Sequence, residues 1–128
     1  MIQDLYHDTI LHHNSHPKNF RKIEGKETRG VNSLCGDDYS LHNSINDIGF
    51  TGHGCAISKA SFSIMTTLVK GKTVREAFEL KDRAIKFLTG EKVEVPSELL
   101  VFSDVHNYPA RVKCATLAWR TLEEALNV

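Results

Sequence analysis

Apolar residues return at helical spacing at the start of the chain, where Leu5, Tyr6, Ile10 and Leu11 predict a short helix over residues 3–13. The polar stretch NSHPKNFRK then turns the chain, with Pro17 and two asparagines as punctuation. Residues 25–36, GKETRGVNSLCG, carry no clear period and read as an irregular loop leading to Cys35, with a third strand placed only loosely within 20–33. DYSLH and INDIGF alternate moderately around a polar turn near Asn43 and Ser44, which predicts a hairpin. A 3.6-residue period returns in CAISKASFSIMTTLVKG, where Ile57, Ser61, Ile64 and Leu68 share one face beside Phe62, Met65 and Val69. Gly71 stops that helix. Thr73 and Glu76 have the spacing of a capping box and open another, through Ala77, Leu80, Ala84 and Leu88 to Thr89-Gly90. Pro96 begins a further short helix. Pro109 starts the last one, which turns Val112, Ala115, Trp119, Leu122 and Leu126 inward. A small sheet early and helices late make an α+β domain.

Composition narrows the class more than the chemistry. The chain has 128 residues, 41% hydrophobic and 25% charged, which suits one globular domain, 1–128. The formal net charge of zero argues against nucleic acid held by bulk electrostatics. No apolar run approaches the ~18 residues of a spanning helix, so no membrane partner is expected. The polar, acidic opening MIQDLYHDTILHH resembles neither a signal nor a transit peptide, and a cytoplasmic location is the expectation.

Three cysteines, Cys35, Cys55 and Cys114, are scattered and odd in number, unlike a disulfide framework. Cys55 follows Gly52-x-Gly54 at a helix start, where free amides favour a thiolate; a plain strand-to-helix turn with a small buried residue is the alternative. Cys35 lies two residues before Asp37, so one loop can offer sulfur and oxygen to one ion; a turn in which Asp37 and Asp38 cap amides would look the same. Cys114 has Arg111 and Lys113 nearby, cations that favour a thiolate, but Leu117 and Ala118 one turn on suit a core cysteine equally. No pair has the close spacing of a zinc finger. His53 beside Cys55 is a possible ligand or an exposed loop residue. The histidines at 12, 13 and 16 have no assigned role.

The motifs together resemble a known family, the U-type iron–sulfur cluster assembly proteins IscU, SufU and the NifU amino-terminal domain. LYHDTILHHNSHPKN is similar to the family's opening helix and Pro-x-Asn turn. NSLCGDD is similar to its first cysteine motif, FTGHGCAISKAS to its second and PARVKCATLAW to its third. The resemblance implies a small antiparallel sheet of about three strands packed against several helices. It implies that Cys35, Asp37, Cys55 and Cys114 gather at one exposed end as a tetrahedral set for zinc, or for a transient [2Fe–2S] cluster. Lys113 stands where the IscU branch has histidine, and YPARVKC replaces a Leu-Pro-Pro-Val-Lys segment. Both features, with the added stretch PSELLVFSDVHNY, resemble the SufU branch. Ser33 departs from the family's usual proline, and the hairpin between Cys35 and Cys55 is shorter than usual.

The resemblance further implies a zinc-bound sulfur acceptor. It would take persulfide sulfur from a SufS-like cysteine desulfurase on Cys55 or Cys35 and pass it to downstream assembly proteins, acting as a monomer or weak dimer. It would be a sulfur carrier more than a classical enzyme. Arg111, Lys113 and His53 are candidate partner contacts. The alternatives are a scaffold for a labile [2Fe–2S] cluster and, lower, a structural zinc module.

Overall fold

The structure, a computed structural model, describes residues 2–127, with side chains from residue 7 onward. The side chains of Leu5 and Tyr6, expected on the inner face of the first helix, lie outside the described residues. The elements run α1 (Ile2–Ser15), β1 (Lys26–Asn32), β2 (Asp37–Asn43), β3 (Ile48–His53), α2 (Ala56–Val69), α3 (Val74–Leu88), two 3-10 turns (Ser97–Phe102 and Val105–Asn107) and α4 (Pro109–Leu126). The strands form one antiparallel sheet in the order β1-β2-β3. This is the expected α+β architecture. No described helix is long and apolar enough to cross a membrane.

β1 falls within the 20–33 window expected for a third strand and corrects the reading of residues 25–36 as an irregular loop. It pairs with β2 from Lys26 opposite Asn43 to Asn32 opposite Asp37. Its inward positions are Thr28 and Gly30, so burial alternates without an apolar signal. A methyl at Gly30 would strike the Thr121 hydroxyl of α4, which is why the smallest residue sits where strand meets helix. The hairpin arms are shifted as well. Ile45, Asn46 and Asp47 belong to the turn, and Ile45 is 98% exposed; the second strand begins only at Ile48.

α2 is not the amphipathic helix that its period suggests. Ser58, Ser61, Ser63 and Thr66 are fully buried along with Phe62, Ile64 and Met65, whereas Ile57 and Leu68 are only half-buried. A helix packed on several sides loses its polar face, so its hydroxyls need internal partners. Ser61 donates to the Ala115 carbonyl and Thr66 to that of Ser63. Ser63 accepts from the Lys18 amide at 2.8 Å and lies 2.7 Å from His13 Nδ1. That contact, with Asn19 Nδ2 donating to Thr66, pins the Pro17 turn onto α2. Burial, then the neighbouring His12 and Lys18 charges, lowers the pKa of His13. Asn19 takes a φ of 60°, a conformation asparagine tolerates, and its carbonyl accepts from the Phe50 amide.

The later helices follow their punctuation. Thr73 and Glu76 form the expected capping box, and Gly90, with φ of 103°, follows the α3 cap at Thr89. Pro109 occupies the first turn of α4. Of the residues expected inward there, Ala115, Trp119 and Leu122 are buried, while Val112 and Leu126 are half-buried against the core. Leu11 of α1 is exposed, and Ile10 alone of that pair enters the core. The segment 97–105 packs Leu99, Phe102 and Val105 inward, so it is an integral part of the core.

The β2–β3 turn is held electrostatically. Arg21 donates to both Asp47 oxygens at 2.6 and 2.8 Å, the Ile48 amide donates to one of them, and Lys70 stands 3.6 Å away. The Arg21 hydrogen bond foremost, then that of Ile48, holds the Asp47 carboxyl below its ordinary pKa. A depressed carboxylate stabilises the fold above its unfolded pKa and stops doing so as pH falls through its folded value. Asp47→Asn should therefore melt below the parent at neutral pH and converge with it only as pH falls beneath the ordinary carboxylate range, through the lowered folded value. Parallel melting curves at all pH values would refute this role.

Candidate metal centre

Each candidate ligand reaches the centre from a different element. Cys35 sits in the turn between β1 and β2, where Gly36 takes a φ of 70° with open space around it. Asp37 opens β2, Cys55 caps α2, and Cys114 lies in the second turn of α4. The sheet register places Asn32 and Asp37 opposite each other, which returns the chain through the Cys35 turn onto the ends of α2 and α4.

The structure brings Cys35, Asp37 and Cys114 together, with one sulfur or oxygen of each within 4.8 Å of the others. Cys55 stands beside this group, its sulfur 4.0 Å from Asp37 Oδ2 and neighbouring the Cys114 thiol. A tetrahedral zinc ion at ordinary Zn–S and Zn–O lengths would hold its donors about 3.5–3.8 Å apart. The three clustered donors thus stand within about an ångström of closure, and the chemistry of the set, soft sulfurs and one carboxylate, suits that ion.

The centre is more recessed than the sequence suggests. Asp37 is fully buried and Cys114 only 3% exposed, while Cys35 and Cys55 are partly open. Arg111 and Lys113 also act differently from expectation. Both are exposed, and Arg111 stacks 4.4 Å above the Tyr108 ring. Cys114 instead has its pKa raised, by burial first and then by Cys35, Cys55 and Asp37 around it. A thiol so placed becomes a thiolate only with a compensating positive charge beside it. His53 ends β3, paired opposite Asp38 and exposed, so it is a strand residue and not a loop one; it is not among the three clustered donors.

Three residues that sequence reasoning passed over hold the centre in place. Asp37 Oδ1 accepts from the Cys55 amide at 2.8 Å and the Ser58 hydroxyl at 2.9 Å. Its other oxygen faces the sulfurs, with the Asn32 amide 3.3 Å away. One oxygen therefore anchors the carboxylate and the other is left for a ligand role. Asn32 Nδ2 also reaches Cys114 Sγ at 3.7 Å. The Ser58 amide donates to Cys55 Sγ at 3.4 Å, so the sulfur itself caps α2. Beneath them the Tyr39 hydroxyl lies 3.0 Å from Ser58 Oγ. Burial, partly offset by the Ser58 hydrogen bond, pushes the Tyr39 pKa up to about 12, so it stays neutral. Ser58 had a signal, lying three residues past Cys55 on the same helical face. Asn32 and Tyr39 had none without the strand register.

Comparison with known proteins places the chain in a family. Residues 5–128 match the family model described as the NifU-like N terminal domain. The iron–sulfur cluster assembly scaffold protein IscU of Thermotoga maritima is 39% identical over 132 residues, 95% of this chain and 92% of that protein. The zinc-dependent sulfurtransferase SufU of Bacillus subtilis is 31% identical over 134 residues, 98% of this chain and 91% of that one. The crystal structure of an iron–sulfur cluster assembly scaffold protein for the SUF system, from Fervidobacterium islandicum, superposes with a TM-score of 0.86 at 38% identity, covering 94% of this chain and 95% of its own. IscU and SufU labels thus both occur among the relatives. The chain belongs to the NifU-like N-terminal domain family, which includes the IscU and SufU iron–sulfur cluster assembly proteins.

Proposed function

We propose that this protein serves iron–sulfur cluster assembly as a zinc-bound sulfur acceptor, with Cys35, Asp37, Cys55 and Cys114 as the ligand set. The observation that carries the reading is the anchored carboxylate: buried Asp37 turns one oxygen to the α2 cap and the other to the thiols. Bound zinc would keep those thiols deprotonated and join three distant segments of chain. Within the set, reachability separates the cysteines. Cys114 is closed off, whereas Cys35, on a projecting turn beside 68%-exposed Leu34, and Cys55, at a helix start, can meet another protein's thiol.

The transfer is thiol–persulfide exchange. An acceptor thiolate attacks the terminal sulfur of a partner cysteine persulfide. A new sulfur–sulfur bond forms as the partner's breaks, the partner cysteine leaves as thiolate, and no net oxidation occurs. The partner class is a cysteine desulfurase. Exposed Arg111, Lys113 and His53 are the candidate contacts. In the test, a cognate desulfurase is assayed with and without this protein. Turnover is expected to rise on addition, and Cys55→Ala is expected to abolish the rise. An unchanged rate with the parent protein would sink the acceptor role.

A second reading, a scaffold for a labile [2Fe–2S] cluster, uses the same donors and is favoured by the scaffold name carried by several relatives. Anaerobic reconstitution with iron and sulfide distinguishes it: thiolate-to-iron absorption supports a scaffold, and its absence alongside desulfurase stimulation supports the acceptor.

A further inference from the structure

The histidines near the start of the chain have no part in the cysteine centre. His13 turns toward α2 and Ser63, and is spent on holding the Pro17 turn. His12 and His16 face the other way and are exposed. They are four residues apart, and the His16 amide still donates to the His12 carbonyl at 2.7 Å, so helical spacing continues through both. Their rings are stacked, centroids 5.1 Å apart and 19° from parallel, so turning one ring about its side-chain bonds brings its nitrogen toward the other's. Two imidazoles at this spacing on one helical face can share one metal ion.

The tautomer of His16 points the same way. Ser15 Oγ has a single proton and donates it to the Leu11 carbonyl at 3.0 Å. The same oxygen lies 3.0 Å from His16 Nδ1, and with the serine proton on the Leu11 carbonyl it accepts there from the Nδ1–H tautomer. That leaves the lone pair on Nε2, at the outer edge of the ring. A hydrogen bond on one ring nitrogen that frees the other is the usual support of a metal-bound histidine. The location adds to this: the pair sits at the C-terminal end of α1, where unpaired carbonyls and the helix dipole favour a cation.

We propose that His12 and His16 form a second, surface metal site that binds a divalent late transition ion of the zinc, nickel and copper class through two neutral imidazoles. Imidazole donors suit these ions and discriminate against calcium and magnesium. Two protein donors leave the remaining positions to water, so the ion exchanges readily. The site shares no residue with the cysteine centre, and neither depends on the other being correctly read.

The test uses the full chain without an affinity tag, titrated with Ni2+ and followed by NMR of the histidine rings and backbone amides. Ni2+ is paramagnetic and broadens signals close to it. The expected result is loss of the His12 and His16 ring signals and of amides around residues 11–16, in one event separate from any at Cys35, Cys55 or Cys114. His12→Ala and His16→Ala should each weaken that event on the order of a hundredfold, since the second imidazole acts as a tethered ligand. His7→Ala should leave it unchanged. Alanine is the better helix former, so the losses cannot come from melting α1. Unchanged Ni2+ affinity in the two variants, an equal loss in His7→Ala, or broadening confined to the cysteines would each overturn the proposal.

Discussion

Asp37→Ala is expected to lose both metal binding and fold stability, while Asp37→Asn loses metal binding alone. Alanine removes the acceptor of the Cys55 amide, a part-buried backbone donor, and strips Asn32 of a partner. The Ser58 hydroxyl retains the Cys55 carbonyl at 3.0 Å, so it is only partly orphaned. Unsatisfied buried donors cost about 1–3 kcal/mol each, and the sum here is about 2–4 kcal/mol. Asparagine keeps a carbonyl oxygen for the Cys55 amide and Ser58. It presents an NH2 group, with no lone pair to give, toward the sulfurs. Its metal-free stability should stay within about 1 kcal/mol of the parent. Its zinc affinity should fall about a hundredfold or more, since loss of an outer-shell partner alone can cost up to that. Denaturant melts of the chelated proteins and zinc content after dialysis separate the two effects. Asparagine binding zinc as tightly as aspartate would remove Asp37 from the ligand set.

Gly54→Ala should damage the support of the metal centre directly. A Cβ at Gly54 would press on Asp37 Oδ1, on the Tyr39 hydroxyl at 2.8 Å and on Ser58 Oγ at 2.9 Å. These are the anchored carboxylate oxygen, the Ser58 hydroxyl that donates to it and the Tyr39 hydroxyl beside Ser58, and all belong to buried side chains that cannot step aside. Overpacking costs about 1–3 kcal/mol, and displaced buried hydrogen bonds add to it, giving an expected loss of about 2–4 kcal/mol. Gly36→Ala is the control. Its surroundings are open, and its φ of 70° is the only obstacle, worth about 1 kcal/mol. The glycine before Cys55 therefore lets the cap approach Asp37, and does not merely bend the chain. Unfolding free energies of the two variants within about 0.5 kcal/mol of each other would contradict this view of the site's support.

The parts of the fold that were legible have local causes. The Thr73–Glu76 capping box, the stop at Gly90 and the Pro109 start depend on backbone groups within a few residues, so neighbours in sequence suffice. β1 is only loosely located by the sequence because its inward residues are Thr28 and Gly30, fitted under α4 and not hydrophobic. α2 was misread in its details because a helix covered on several sides buries serine and threonine, and their partners, such as Ala115 and Lys18, are distant in sequence. The hairpin arms were offset because Ile45 is apolar yet lies on the turn.

The candidate site divides in the same way. The identities of the donors, the glycines before Cys55 and the four similar motifs were properties of the sequence by itself, because thiol and carboxylate chemistry belongs to the residue and motif order to the chain. Only the tertiary structure decided that Asp37 and Cys114 are closed from water while Cys35 and Cys55 are partly open. It alone decided that one Asp37 oxygen is occupied by the α2 cap and the other is turned to the sulfurs. Burial and hydrogen-bond direction depend on which surfaces meet, and those meetings join residues 32, 37, 58 and 114, which no local pattern connects.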